Sequence, residues 1–102
     1  MEFTKQIYSV TELFPRSEMF GISNQLRRAS VSVASNLAEG AARKSVVERR
    51  RFFEMSRSSL VEIDTQIEIC ISLGYISKDE EIGISERINH LFAMVSNLIT
   101  KS

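Results

Sequence analysis

The sequence predicts an all-α protein: an antiparallel up-and-down four-helix bundle formed by a single domain, residues 1–102. Three observations predict it. Apolar residues recur at intervals of three and four along most of the chain. No window alternates with a period of two, and no Asn-Gly or Asp-Gly hairpin turn occurs. Short connections between long amphipathic helices favour antiparallel neighbours, and one proline and four glycines leave few places to turn.

The first two helices are predicted on either side of a proline. Four apolar residues at helical spacing make up the first helix: Phe3, Ile7, Val10 and Leu13. Pro15 ends it, because proline disfavours the α conformation of the residue before it. Ser17 is the predicted N-cap of the second helix, since a serine hydroxyl can accept a hydrogen bond from a free backbone amide. Gly40 is predicted to end that helix.

Each of the last two helices is predicted to begin with a capping box, a serine followed three residues later by a glutamate. These boxes are Ser45–Glu48 and Ser77–Glu80. The core stripe of the third helix includes Phe53, Leu60, Ile63, Ile67 and Cys70 or Ile71, and Gly74 ends this helix. The core stripe of the fourth consists of Ile84, Ile88, Leu91, Val95 and Leu98. Breaks between helices are expected near residues 15–17, 41–45 and 74–77.

The charged residues are unevenly distributed along the chain. Basic and acidic side chains number 13 each, but residues 27–57 contain eight basic and three acidic ones, a net charge of 8 − 3 = +5. The rest of the chain has five basic and ten acidic side chains, a net charge of 5 − 10 = −5. This uneven distribution affects which partners the protein can bind more than its net charge of zero does. Seven of the eight basic residues are arginines, which suit bidentate contact with phosphate.

Residues that would support catalysis or metal binding are not grouped in the sequence. His90 is the only histidine and Cys70 the only cysteine, so neither a metal-ligand pair nor an internal disulfide is available. Phosphate-binding glycine loops, nucleophile elbows and paired catalytic carboxylates are also missing. We therefore expect a protein that is not an enzyme and uses no cofactor or metal ion. No apolar run of membrane-spanning length and no signal-peptide pattern occurs, which favours a cytoplasmic protein without membrane contact.

The second predicted helix carries two apolar stripes, whereas a surface helix needs one. One stripe faces the predicted core: Met19, Ile22, Leu26, Ala29, Val33 and Leu37. The second stripe consists of Phe20, Val31, Ala34 and Ala38. Either a neighbouring subunit or the short first helix can cover the second stripe, and we expect a subunit. The predicted oligomer interface is this stripe together with Arg27, which can pair with Glu39 or with the neighbouring subunit.

A cluster of basic residues around the turn between the second and third helices is the candidate nucleic-acid site. The predicted members are Arg28, Arg43, Lys44, Arg49, Arg50, Arg51 and Arg57. Helix-surface ion pairs such as Arg50 with Glu54 would explain single members, but three acids cannot neutralise eight bases. Nothing resembles a recognition helix shaped for a groove, so we expect contact with RNA or DNA phosphates that does not depend on base sequence. A protein partner, or no ligand, remains the alternative.

A set of motifs spread over nearly the whole chain indicates a family. The motifs are Phe14-Pro15, Glu18, Phe20-Gly21, Gln25-Leu26-Arg27-Arg28-Ala29, Ser32-Val33, Asn36-Leu37-Ala38-Glu39-Gly40, Phe52, Ser58-Ser59-Leu60, Glu62 and Leu73-Gly74-Tyr75. Together they resemble the four-helix bundle proteins encoded within 23S ribosomal RNA intervening sequences. That family is similar to the accessory variability determinant proteins of diversity-generating retroelements, which form pentameric barrels and bind nucleic acid and a reverse transcriptase.

The resemblance implies a non-enzymatic accessory protein that forms a ring, with a pentamer favoured, and binds nucleic acid. The alternative is an oligomeric scaffold that binds a protein such as a reverse transcriptase without touching nucleic acid. Family members usually have several more residues before the position of Phe3. The first helix here, at about 12 residues or roughly 18 Å, cannot flank the full length of the third. We therefore expect one end of the bundle to be open or to be covered by a neighbour, which leaves the ring size open.

Overall fold

A computed structural model describes residues 1–101, and this part of the chain contains four α-helices, one short 3-10 helix and no β-strand. The helices are α1 (Glu2–Glu12), α2 (Ile22–Ala42), α3 (Val46–Ser72) and α4 (Lys78–Lys101). The 3-10 helix spans Arg16–Glu18, between α1 and α2. The prediction of an all-helical protein with four helices is therefore confirmed. The two later breaks fall where the sequence predicted them.

The start predicted for the second helix was wrong. Ser17 lies inside the 3-10 helix, and α2 begins only at Ile22, with Gly21 as an N-cap that offers no side chain. The cause is the extended backbone of Pro15, after which the chain makes a tight turn closed by short-range bonds rather than a full helix. Met19, predicted for the core stripe, consequently precedes α2 and is 54% exposed.

The second helix ends close to the predicted position, but Gly40 does not end it, because α2 continues to Ala42. Gly40 is buried where α2 lies against α3. A Cβ atom at this position would be 2.6 Å from Cε1 of Phe53 and 3.2 Å from the carbonyl oxygen of Arg49. The glycine thus allows two helices to approach closely instead of stopping one. The helix ends when Arg43 adopts an extended conformation.

Local signals at the other helix ends are confirmed. The hydroxyl of Ser45 accepts a hydrogen bond from the Glu48 amide at 3.3 Å. At the start of α4 both halves of the capping box form: the Glu80 amide donates to the Ser77 hydroxyl, and the Ser77 amide donates to the Glu80 carboxylate. Gly74 follows α3 with φ +78°. The Gly74 amide donates to the Ile71 carbonyl and the Tyr75 amide donates to the Cys70 carbonyl, which together form a Schellman motif.

The helices enclose one apolar core. α2 packs against α1 and α3, and α4 packs against α3 and α1. Side chains that are essentially inaccessible to solvent come from all four helices: Phe3, Ile7, Leu26, Val33, Leu60, Ile63, Ile67, Cys70, Ile84 and Val95. Leu98, predicted for the same core, is 39% exposed and is not part of it. The periodicity of the sequence therefore identifies most of the residues that hold the fold together.

Helices α2 and α3 run in opposite directions, as their cross-helix bonds show. Close to the end of α2, Gly40 lies beside Phe53; in the middle, the Ser56 hydroxyl donates to the Val33 carbonyl at 2.9 Å. Near the start of α2, the side-chain amide of Gln66 donates to that of Gln25. Because residue numbers rise on one helix as they fall on the other, the C-terminus of α2 and the N-terminus of α3 meet at one end of the molecule.

Candidate nucleic-acid interface

The short connection between α2 and α3 brings four predicted site residues to one end of the molecule. Only residues 43–45 separate the two helices, so side chains from the connection and from the first turns of α3 lie near one another. We call this group the basic end, and its members are Arg43, Lys44, Arg49 and Arg50. Three of them are exposed and Arg49 is half-buried. Arg51 follows directly and is exposed on α3.

Two members of the basic end also stabilise the connection itself. Nη1 of Arg49 donates hydrogen bonds to the carbonyl oxygens of Lys44 and Arg43, at 2.9 and 3.2 Å. The guanidinium of Arg43 pairs with the Glu39 carboxylate and lies 5.0 Å from the centre of the Phe52 ring. A guanidinium has five N–H donors, so both groups retain donors for a ligand. These contacts hold the arginines in place before any ligand arrives.

Arg28 and Arg51 lie along the line where α2 and α3 pack together, which has two open depressions of about 330 and 440 Å³. The first is lined by Asn24, Gln25, Arg28, Ala29, Ser32, Ser59 and Glu62. The second is lined by Ser32, Asn36, Arg51, Glu54, Met55, Ser58 and Ser59. Because both include Ser32 and Ser59, whose hydroxyls are 3.0 Å apart, they form one continuous surface. We call it the seam groove.

Sequence reasoning missed the seam groove. The sequence predicts Arg28 and Arg51 as part of the nucleic-acid site, but only the pairing of α2 with α3 brings them together with the other lining residues. A usable hint was present in the small polar residues at helical spacing, such as Ser32 and Asn36, opposite Ser58 and Ser59. Such residues let two helices approach closely while leaving polar groups at the surface.

Two arginines lie apart from the basic end. Arg57, predicted to be part of the site, faces α4: its Nη1 donates to the Ser96 hydroxyl at 3.2 Å, and its guanidinium lies 5.7 Å from the Phe92 ring centre. Arg27 was predicted at the oligomer interface. Its Nε donates to the Thr11 hydroxyl at 2.7 Å and its guanidinium lies over the ring of Tyr8, so it joins α2 to α1 within the chain.

The second stripe stays largely uncovered in the single chain. Phe20 is 88% exposed and Val31 44% exposed, Ala38 is exposed, and Ala34 is half-buried. The alternative that the first helix covers this stripe is therefore wrong for three of its four residues. Phe20 also differs from the prediction in lying before α2, in the turn that follows the 3-10 helix.

The residues considered for chemistry are separated in the fold. Cys70 is buried, and burial together with the nearby charge of Glu18 raises the pKa of its thiol to about 11. His90 is exposed on α4. Within residues 1–101, no three of the histidine, cysteine, aspartate and glutamate side chains are close enough to hold a metal ion. Over the same range no helix combines the length and apolarity that a membrane span requires.

Comparison with known proteins agrees with this fold. A crystal structure of a protein of unknown function from the S23 ribosomal protein family of Bacteroides thetaiotaomicron is similar, with a TM-score of 0.89. The two are 19% identical, and the match covers 97% of this chain and 89% of that one. No match was found among curated proteins. Residues 1–97 match the model of a protein family. The chain belongs to the 23S rRNA-intervening sequence protein family.

Proposed function

We propose that the protein is a non-enzymatic accessory protein that binds RNA or DNA by contacting phosphates with its basic end, without reading base sequence. The observation that carries this proposal is the concentration of Arg43, Lys44, Arg49 and Arg50 on one short connection and the first turns of α3. Long basic side chains at the end of a bundle can follow a phosphate backbone. They do not form a helix face that could enter a groove.

Charge reversal tests the proposal. Arg49 is left unchanged because it stabilises the connection. The test variant reverses Lys44 and Arg50 of the basic end together with Arg51, the residue that follows it on α3: Lys44→Glu, Arg50→Glu and Arg51→Glu. Glutamates in the first turns of α3 remain favourable to the helix dipole. The matched control reverses three basic residues on α1 and α4, Lys5, Lys78 and Arg87, and so changes the net charge equally.

We expect the test variant to lose most of its affinity for RNA and DNA in fluorescence anisotropy, while circular dichroism shows unchanged helicity. The control should retain it. The logarithm of the parent's binding constant should fall linearly with the logarithm of salt concentration, since each neutralised phosphate releases counterions. Equal losses in both triple variants would mean that total charge, rather than the basic end, determines binding. Full binding by the test variant would refute the proposal.

We infer that the helices form an antiparallel up-and-down bundle and that several copies close into a ring, with a pentamer favoured. The opposite directions of α2 and α3 support the first inference. The exposed second stripe supports the second, because small residues such as Ala34 and Ala38 let backbones approach closely. One contact repeated around a rotation axis closes into a ring. A ring presents several basic ends at once, which strengthens weak single contacts through multivalency.

A second candidate function is a scaffold that binds a protein partner without touching nucleic acid. It is favoured by an apolar corner at the turn between α1 and α2, where Leu13 is 78% exposed, Met19 54% and Phe20 88%. Large apolar side chains that are exposed close together in sequence are consistent with an interaction surface. If the parent binds neither RNA nor DNA at low salt, this function replaces the first.

A further inference from the structure

We infer that the seam groove binds single-stranded RNA, so that the nucleic-acid site extends from the basic end along α2 and α3 as far as Arg28. The inference rests on the proposed function, since it names the kind of nucleic acid that the same site takes. It is carried by the position of two arginines and by the chemistry of the other residues that line the groove.

Arg51 and Arg28 line separate parts of the groove. Arg51 lines one depression, next to the basic end, and Arg28 lines the other, together with Glu62. From the level of Arg51 to that of Glu62 on α3 is about 16 Å, at about 1.5 Å per residue. Within residues 1–101 neither guanidinium group makes a hydrogen bond or an ion pair. Both groups are thus available for phosphates.

Apart from the two arginines, the groove offers hydrogen-bonding groups rather than further positive charge. Hydroxyl and amide side chains line it on both helices: Asn24, Gln25, Ser32, Asn36, Ser58 and Ser59. Glu54 and Glu62 also line it, so two carboxylates balance the two arginines. A surface of this kind disfavours a phosphate in its middle, but its acceptors suit sugar hydroxyls and the amino groups of bases.

This chemistry distinguishes RNA from DNA. The 2′-hydroxyl both donates and accepts hydrogen bonds, and it is the group by which a protein tells the two apart. Asn36 uses its side-chain nitrogen for the Ser32 carbonyl and hydroxyl, at 2.9 and 3.0 Å, which leaves its side-chain oxygen as an acceptor. Ser58 is exposed, and its hydroxyl makes no hydrogen bond within the described part of the chain.

The position of the polar groups favours a single strand. They line two depressions of about 330 and 440 Å³ along the line where α2 and α3 pack together. Sugar hydroxyls and base edges are free to enter such a site only where the strand is unpaired. A duplex is therefore expected to contact the basic end alone.

The test compares three fluorescently labelled probes by anisotropy: a 12-nucleotide RNA, the DNA of the same sequence and the corresponding DNA duplex. The seam variant is Arg28→Gln with Ser58→Ala, both exposed positions. The matched control is Arg87→Gln with Ser9→Ala, two exposed positions on α4 and α1. The parent should bind the RNA about fivefold more tightly than the single-stranded DNA, as expected for one additional net hydrogen bond.

The seam variant should bind the RNA about fiftyfold more weakly. Loss of the charged hydrogen bond of Arg28 should weaken both single strands about tenfold, and loss of the Ser58 hydroxyl should remove the roughly fivefold preference for RNA over DNA. Its affinity for the duplex should match that of the parent, and the control should behave as the parent with all three probes. An unchanged RNA affinity in the seam variant, or a parent without preference for RNA, would overturn the inference and leave the basic end as the site. A parent that binds none of the probes would remove the proposed function itself.

Discussion

Two glycines in helices have opposite surroundings, and this predicts opposite effects of alanine. A glycine inside a helix usually costs about 1 kcal/mol relative to alanine. At Gly83 a new Cβ atom would meet only the Gln6 side chain, at 3.6 Å, so Gly83→Ala should stabilise the protein by about 0.5–1 kcal/mol. At Gly40 the new atom would be 2.6 Å from the buried ring of Phe53.

Gly40→Ala should therefore destabilise the protein by about 1–3 kcal/mol, since overpacking outweighs helix propensity. Urea denaturation followed by circular dichroism measures both free energies of unfolding. If Gly40→Ala is as stable as Gly83→Ala, α2 and α3 can separate locally without cost and the close approach does not constrain the fold.

Cys70 provides a prediction for pH. Burial, followed by the charge of Glu18, raises the pKa of its thiol from 9.0 to about 11 in the folded protein. The unfolded chain therefore loses this proton at a lower pH than the folded chain does, so the free energy of unfolding should decrease as the pH rises from about 9 to about 11. Below that range the thiol is protonated in both states and has no effect. Cys70→Val should show a smaller decrease over this interval, with stability measured at each pH.

The reactivity of Cys70 follows from the same shift. The thiolate is the nucleophile that attacks a disulfide reagent, and the buried thiol forms little thiolate at pH 8. Labelling with a disulfide reagent should thus be slow in the native protein and fast in urea. Rapid stoichiometric labelling without denaturant would show that the core around Cys70 opens readily.

At the residue scale, the sequence predicted burial well and the partners of charged groups poorly. The stripe around Leu60 and Ile63 is buried because apolar spacing alone determines which side of a helix faces inward. The partners of Arg27 and Arg57 depend on which helix lies opposite, and Thr11 and Ser96 are distant in sequence. Nothing local distinguishes these arginines from the exposed ones.

At the scale of the helix, the two capping boxes differ in how completely they form. Ser77 and Glu80 exchange two hydrogen bonds, at 3.0 and 3.2 Å, whereas Ser45 accepts a single one at 3.3 Å. Ser77→Ala should cost about 1 kcal/mol, which lowers the melting temperature of a domain this size by roughly 4–8 °C. Ser45→Ala should cost less, and Ser9→Ala, at an exposed position in α1, should have no effect. A larger loss at Ser45 than at Ser77 would contradict this ranking.

Helix boundaries were predictable where the cause is local. Capping boxes and the positive φ of Gly74 act within four or five residues, so the starts of α3 and α4 and the end of α3 could be read from the sequence. The start of α2 is an exception, because the turn after Pro15 is also closed by local bonds, and a serine such as Ser17 fits both a helix N-cap and a turn. Gly40 misled for a different reason, since its role depends on Phe53 of another helix.

At the scale of the whole molecule, a segment that is continuous in sequence divides into several surfaces. The basic residues between 27 and 57 are distributed over the basic end, the seam groove, the α1–α2 contact and the α3–α4 contact. Sequence reasoning therefore found the basic end but assigned Arg57 to it and missed the groove. Successive side chains on a helix point in different directions. A count of charges along the chain therefore overstates the charge on any one surface.

The last prediction concerns the link between assembly and binding. Ala38 is exposed in the second stripe, so Ala38→Arg should leave the subunit folded but separate the oligomer, because a charged side chain cannot be buried unpaired at a close contact. The added arginine alone would strengthen attraction to nucleic acid. A loss of RNA affinity of at least about tenfold can then come only from the loss of multivalency.

Ala93→Arg, at an exposed position on α4, adds the same charge as a control and should bind RNA at least as well as the parent. Sedimentation velocity and anisotropy measure the two effects; a parent that is monomeric at micromolar concentration, or an Ala38→Arg variant that stays assembled, would show that the second stripe is not the subunit contact.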